Sequence, residues 1–189
     1  MSVFSAALAD AIRVWEQSMM TVGWMHALVV AAYFGTAWLC YINGFVAKNE
    51  GESRGPWLVA VALLVALGVN TLLRADVFLT ELVRETAKLE FWYGTRSGIQ
   101  YMAFAALSVV MLWLLVRLKG AFVASEVSEE TIPTGLLLLV LLLGTRGISW
   151  HLTDTFINER VLGVSLGRWA ELFFLGMVSS GAWRCLQRR

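Results

Sequence analysis

The chain alternates between long uncharged apolar stretches and short segments in which charges crowd together. Three stretches carry no Asp, Glu, Lys or Arg: Gln17–Ala47 with 31 residues, Gly55–Leu73 with 19 and Ser97–Val116 with 20. A helix rises about 1.5 Å per residue, so about 20 mostly apolar residues cross the hydrocarbon of a bilayer. Each stretch therefore predicts a membrane-spanning helix. Pro56 suits the first turn of the second, where its missing N–H would be unpaired anyway.

A fourth apolar run, Leu136–Leu143, follows Thr131 and Pro133, but only 15 residues from Thr131 onward pass before Arg146. To span, this helix has to continue through Arg146, His151 and Asp154 to about Phe156. A fifth, from Leu166 to Trp183, carries Arg168 and Glu171 in its first turns. Their i,i+3 spacing lets them pair on one helix face. Ahead of the first span, Phe4, Leu8, Ile12, Trp15 and Met19 recur at helical spacing, with Asp10, Arg13 and Glu16 elsewhere around the helix. That pattern predicts an amphipathic interfacial helix over residues 1–20.

The predicted fold is all-α: an integral membrane bundle forming one domain over residues 1–189. It has about five spans, near 22–46, 56–74, 97–117, 132–156 and 166–184. Four spans is the alternative if the last helix lies flat or re-enters. Composition agrees. Of 189 residues 58% are hydrophobic and 15% charged, against about 45–50% and about 25% in soluble domains. A water-soluble globular domain is excluded. The net charge of +1 leaves no basic surplus for nucleic acid. Cys40 and Cys185 are isolated, without CxxC spacing, so neither a redox motif nor a zinc knuckle is present.

Five spans place the N-terminus, the 74–96 segment and the 146–168 region on one side of the membrane. Lys48, Arg54, Arg117, Lys119 and the C-terminal Arg184, Arg188 and Arg189 fall on the other. Arginines crowded at a helix end have most force in the positive-inside rule, so the C-terminus is predicted to be cytoplasmic. The opposite face then collects His26, His151, Asp154, the Arg168–Glu171 pair and the carboxylates of residues 74–96.

The densest constellation lies between Arg146 and Asp154. On a helix, His151 and Asp154 are about one turn apart and their side chains can meet. A carboxylate beside an imidazole fixes its tautomer and raises its basicity, which suits a general base or proton relay. Arg146, His151 and Asp154 are accordingly the candidate catalytic groups. His26 and His151, at one membrane level, are candidate axial ligands for a haem b. The structural alternative is that Arg146 and Asp154 pair with charges of the 74–96 segment and lock two helices together. No HxxxH, HExxH or ExxH pair is present, so no metal site is predicted. Signatures such as GxSxG or a Walker loop are absent. In the last helix, Gly176 and Ser180 stand four apart and form a small-xxx-small face for close contact with another membrane helix.

The stretch Arg146–Asp154, with Leu162, Gly163 and then Trp169, Glu171 and Leu172, resembles the C-terminal part of small, functionally uncharacterised bacterial inner-membrane proteins. Residues Glu90–Gln100 are similar to their central loop. The resemblance covers about half the chain and implies a multi-pass inner-membrane location without implying an activity. Those proteins often double the histidine, whereas here Trp150 precedes a single His151. Two functions follow as expectations. The first is a non-enzymatic accessory or structural component of a membrane protein complex, embedded in lipid and joined to other membrane proteins. The second is a membrane redox or metal-dependent enzyme using His26, His151, Asp154 and nearby carboxylates.

Overall fold

The structure, a computed structural model, describes residues 3–89, 130–148 and 159–188, together with positions 106, 109, 110, 113, 114, 116, 117 and 120. Six helices are formed among the described residues: α1 (Val3–Met20), α2 (Trp24–Asn49), α3 (Gly55–Leu73), α4 (Ala75–Leu89), α5 (Thr131–Ile148) and α6 (Leu166–Gln187). The all-α expectation needs one amendment. Strands β1 (Arg160–Val161) and β2 (Val164–Ser165) make a small antiparallel hairpin ahead of α6. Its two turn residues, Leu162 and Gly163, both have positive φ, at 55° and 79°. That is the left-handed backbone a two-residue hairpin turn requires.

Helices α2 and α3 are long and apolar enough to cross a membrane, and the shorter apolar stretch Thr131–Gly144 forms most of α5. The predicted count of five spans is not reached among the described residues. Most of the third predicted span and the end of the fourth lie outside them, and α6 carries Arg168, Glu171 and Arg184 along its length.

Close approach of backbones sets the packing. A Cβ added at Gly44 would stand 2.9 Å from the Trp57 Cβ, and one at Gly68 would stand 3.0 Å from the Tyr33 Cβ. These two contacts run in opposite directions along α2 and α3, which form an antiparallel hairpin. Helices α5 and α6 are antiparallel by the same logic, with Gly135 against Val178 and Gly181 against Ile132. The α2–α6 pair is different. Its cross-contacts are His26 with Arg168, Thr36 with Ser179 and Asn43 with Ala182, so the two helices run parallel. The core lies between these seams, from Val29, Tyr33 and Cys40 through Trp57 and Leu64 to Ile132, Leu136, Leu139, Leu175 and Val178.

Helix α1 packs on α4, with Trp15 of the predicted stripe meeting Phe78. Ala7 and Ala11 are wholly buried, while Ile12 of the stripe is exposed. Small side chains let the two helix backbones come close. Arg74 separates α3 from α4 in the left-handed conformation, with φ 49° and ψ 41°. The chain thereby turns off the α3 axis. Its guanidinium donates to the Ser18 carbonyl at the end of α1, and Trp15 Nε1 donates to the Leu73 carbonyl at 2.7 Å. Edge-on contact between Trp15 and Phe78 completes the clamp.

Candidate functional site

The first turn of α2, the end of α3 and the first turn of α6 converge on one polar cluster. His26 sits in the first turn of α2, its amide hydrogen-bonded to the Gly23 carbonyl at 3.0 Å. Arg168 and Glu171 project from the first turns of α6, where β1 and β2 set the start of the helix. Leu166 N donates to the Glu159 carbonyl at 2.8 Å, and Trp169 Nε1 donates to the Val161 carbonyl at 3.2 Å.

Arg168 Nη1 donates to Glu171 Oε2 at 2.8 Å, the pairing that the i,i+3 spacing predicts. The second guanidinium nitrogen, Nη2, lies 3.1 Å from His26 Nδ1. Guanidinium nitrogens only donate, so Nδ1 accepts and His26 is the neutral Nε2–H tautomer. The Leu72 backbone carbonyl also faces this imidazole, and the charges of Arg74 and Asp76 act on it from the α3–α4 corner. Glu171 is completely buried, which leaves Arg168 as the bridge between a buried carboxylate and a half-buried imidazole.

The same parallel seam holds two further polar contacts deeper in the bundle. Thr36 Oγ1 and Ser179 Oγ are 2.7 Å apart. Asn43 Nδ2 donates to the Ala182 carbonyl at 3.0 Å. Thr36, Asn43 and Glu171 are all buried. Cys40 and Cys185, neither in a disulfide, lie in the same core between these helices, although neither belongs to a recognisable motif.

Of the residues singled out from sequence, the structure brings His26 to Arg168 and Glu171. His151 and Asp154 lie outside the described residues, as does the side chain of Arg146, whose backbone belongs to α5. Residues 90–100, which carry part of the resemblance, also lie outside. Among the described residues, no three of His, Cys, Asp and Glu gather as a metal-holding group. The Thr36–Ser179 and Asn43–Ala182 contacts were missed by motif reading. A usable signal was present: a heptad-like recurrence at three- and four-residue steps that mixes polar or small with apolar residues, on α2 (Tyr33, Thr36, Cys40, Asn43, Ala47) and on α6 (Glu171, Leu175, Val178, Ala182, Cys185). Gly176 and Ser180 lie on the outer face of α6. A Cβ at Gly176 would meet nothing within 4 Å, whereas Gly44, Gly68, Gly135 and Gly181 are all tightly faced. No protein-family model, curated protein or solved structure matches the chain.

Proposed function

We propose that this chain is a non-enzymatic accessory or structural component of a membrane protein complex, held in a bacterial inner membrane by five passes. The observation that carries this reading is the mutual engagement of the polar groups where α2 meets α6. His26 Nδ1, Arg168 and Glu171 satisfy one another, and Arg74 is engaged with the Ser18 carbonyl. A general base or ligand imidazole needs a free nitrogen facing a reactant, whereas a lock between helices needs what is seen. A membrane location is supported by the burial of α2 and α3, the two helices long and apolar enough to cross one. Only 33% of the most apolar window of each is buried within the protein. The remainder is an apolar surface that water disfavours and lipid accepts.

Helix directions support an odd number of passes between Leu73 and Thr131. Helix α3 ends near His26, while α5 begins beside Gly181, so the chain has to travel the length of the bundle between them. The predicted span over residues 97–117 supplies that passage. A reporter fused after Arg189 is expected to behave as cytoplasmic, and one inserted near Gly94 as external. Reporters that agree on one side overturn the five-pass topology, and exchanged sides invert its orientation.

The outer face of α6 is the proposed contact with the rest of the complex. It combines open small positions at Gly176 and Ser180 with exposed Phe173 and Trp183, and small residues let membrane helices approach closely. Tagged full-length protein in mild detergent is expected to migrate on native gels as a complex larger than one chain. Gly176→Leu with Ser180→Leu is expected to release the chain as a monomer at unchanged yield. Migration of the wild type as a lone monomer overturns the reading. So does a Soret band or stoichiometric metal in the purified protein.

A further inference from the structure

Helix α4 is amphipathic, yet its exposure is the reverse of what water imposes. Its most exposed large side chains are Leu79 and Val83, at 55% and 57%. Its charged neighbours are drawn in. The Glu81 and Arg84 side chains are only 16% and 35% exposed and form an ion pair at 2.6 Å. A helix lying on a protein in water turns its charges outward and its apolar stripe inward. Here Phe78 and Leu82 face inward, half-buried, and a second apolar pair one position later points away from the protein. The medium outside that face is therefore apolar.

The location of α4 identifies the medium. A single residue, Arg74, separates α4 from the exposed Leu72 and Leu73 at the end of α3. Arg74 and Trp15 tie this corner to α1, and α4 also touches α5, so α4 is held at the His26 end of α3. Exposed apolar side chains stand on both sides of the corner, Val69, Leu72 and Leu73 before it and Leu79 after it. Trp24 is 73% exposed and Met20 is 85% exposed at the junction of α1 and α2. Net charge does not draw this layer to the membrane. Asp10, Arg13 and Glu16 on α1, like Asp76, Glu81, Arg84, Glu85 and Lys88 on α4, are mixed in sign.

We propose that α4 lies in the headgroup layer of the bilayer with Leu79 and Val83 inserted at the headgroup–acyl boundary. With α1 clamped to it, α4 acts as a float that fixes the depth of the bundle. The lipid is recognised by its apolar boundary rather than by a particular headgroup. This inference rests on the membrane-spanning reading of α2 and α3.

The test uses full-length protein with Cys40 and Cys185 replaced by Ala. Single cysteines at positions 79, 83, 81 and 65 are labelled with an environment-sensitive nitrobenzoxadiazole group in phosphatidylcholine–phosphatidylglycerol vesicles. Labels at 79 and 83 are expected to emit to the blue of the label at 81. They are also expected to be quenched several-fold more by lipids spin-labelled near the headgroup than by lipids labelled deep in the chain. The label at 65, on the exposed face of α3, is expected to prefer the deep quencher. If 65 behaves so while 79 and 83 emit as in water, the float is wrong and the spans stand. If 79 and 83 are blue-shifted but unquenched, another protein surface covers them and the float is again wrong. If no position is quenched by lipid, the membrane-spanning reading itself fails.

Discussion

Glu171→Ala is expected to remove most folded protein from the membrane. Glu171 is fully buried, and its partner Arg168 is only 18% exposed. Deleting the carboxylate leaves the guanidinium uncompensated in a low-dielectric seam, which typically costs about 3–5 kcal/mol. A domain holds only about 5–15 kcal/mol in total, so this single change consumes a large part of the margin. Arg168→Ala removes the guanidinium from beside the buried carboxylate and the bond to His26 as well, and is expected to be comparably harmful. Replacing both groups with apolar side chains, as in Arg168→Met with Glu171→Leu, removes the stranded charge and is expected to restore much of the yield. His26→Phe removes one neutral acceptor and is expected to cost about 1 kcal/mol, the scale of a single hydrogen bond. Fluorescence-detected size-exclusion profiles of the four variants, read for monodisperse peak height and thermal midpoint, check the ordering. Wild-type behaviour of Glu171→Ala ends the idea that this pair locks α6 into the bundle.

Gly135→Leu is expected to separate α5 from α6. A Cβ at this position would already lie 2.7 Å from Val178 Cγ2 and 3.1 Å from the Phe174 carbonyl oxygen. The second contact is with backbone, which cannot swing away. The helices therefore have to move apart, giving up the contacts of Ile132, Leu136 and Leu139 with α6. Overpacking of this kind usually costs about 1–3 kcal/mol, and more where backbones must separate. Gly181→Leu meets Thr131 Oγ1 and Ile132 Cγ1 at 2.5 Å and 2.7 Å and is expected to act alike. Gly176→Leu is the matched control, being the same change on the same helix with open space beyond it. Cysteine cross-linking between α5 and α6 should fall sharply in the first two variants and persist in the third. Equal cross-linking in all three would remove the close seam.

Much of the architecture was legible because apolar length alone dictates it. The predicted boundaries of α2 and α3 lie within a few residues of those observed, since charged Lys48, Arg54 and Arg74 bracket the runs. The Arg168–Glu171 pair was equally readable, because i,i+3 spacing places the two side chains together whatever the helix packs against. The partner of His26 was not. Imidazole and guanidinium meet only because α2 and α6 run parallel, and no local pattern encodes the direction of one helix relative to a distant one. On α1 the stripe was legible in part: Trp15 meets Phe78, whereas the wholly buried residues are Ala7 and Ala11, which a pattern of large apolar side chains does not mark. Likewise the two-residue strands before α6 are too short for period-two alternation to register, and only Gly163 hinted at their turn.

The contacts that join α2 to α6 link residues 142, 143 and 139 positions apart. At roughly 5–20 residues per second, a ribosome needs roughly 7–30 s to make that intervening chain. During that interval α2 stands without the helix that will cover it. Two of its polar side chains carry a provisional partner of their own. Thr36 Oγ1 bonds the Ala32 carbonyl at 2.7 Å, and Asn43 Nδ2 bonds the Leu39 carbonyl at 2.9 Å, each one turn back on the same helix. The newborn helix can thus form with the Thr36 hydroxyl and one Asn43 N–H already bonded. It then gains Ser179 and the Ala182 carbonyl as second partners when the last helix arrives, without breaking a bond to do so. His26 differs: its imidazole meets Leu72 at the end of α3 first and Arg168 only with the last helix, so its contacts are complete only when the chain's two ends have come together.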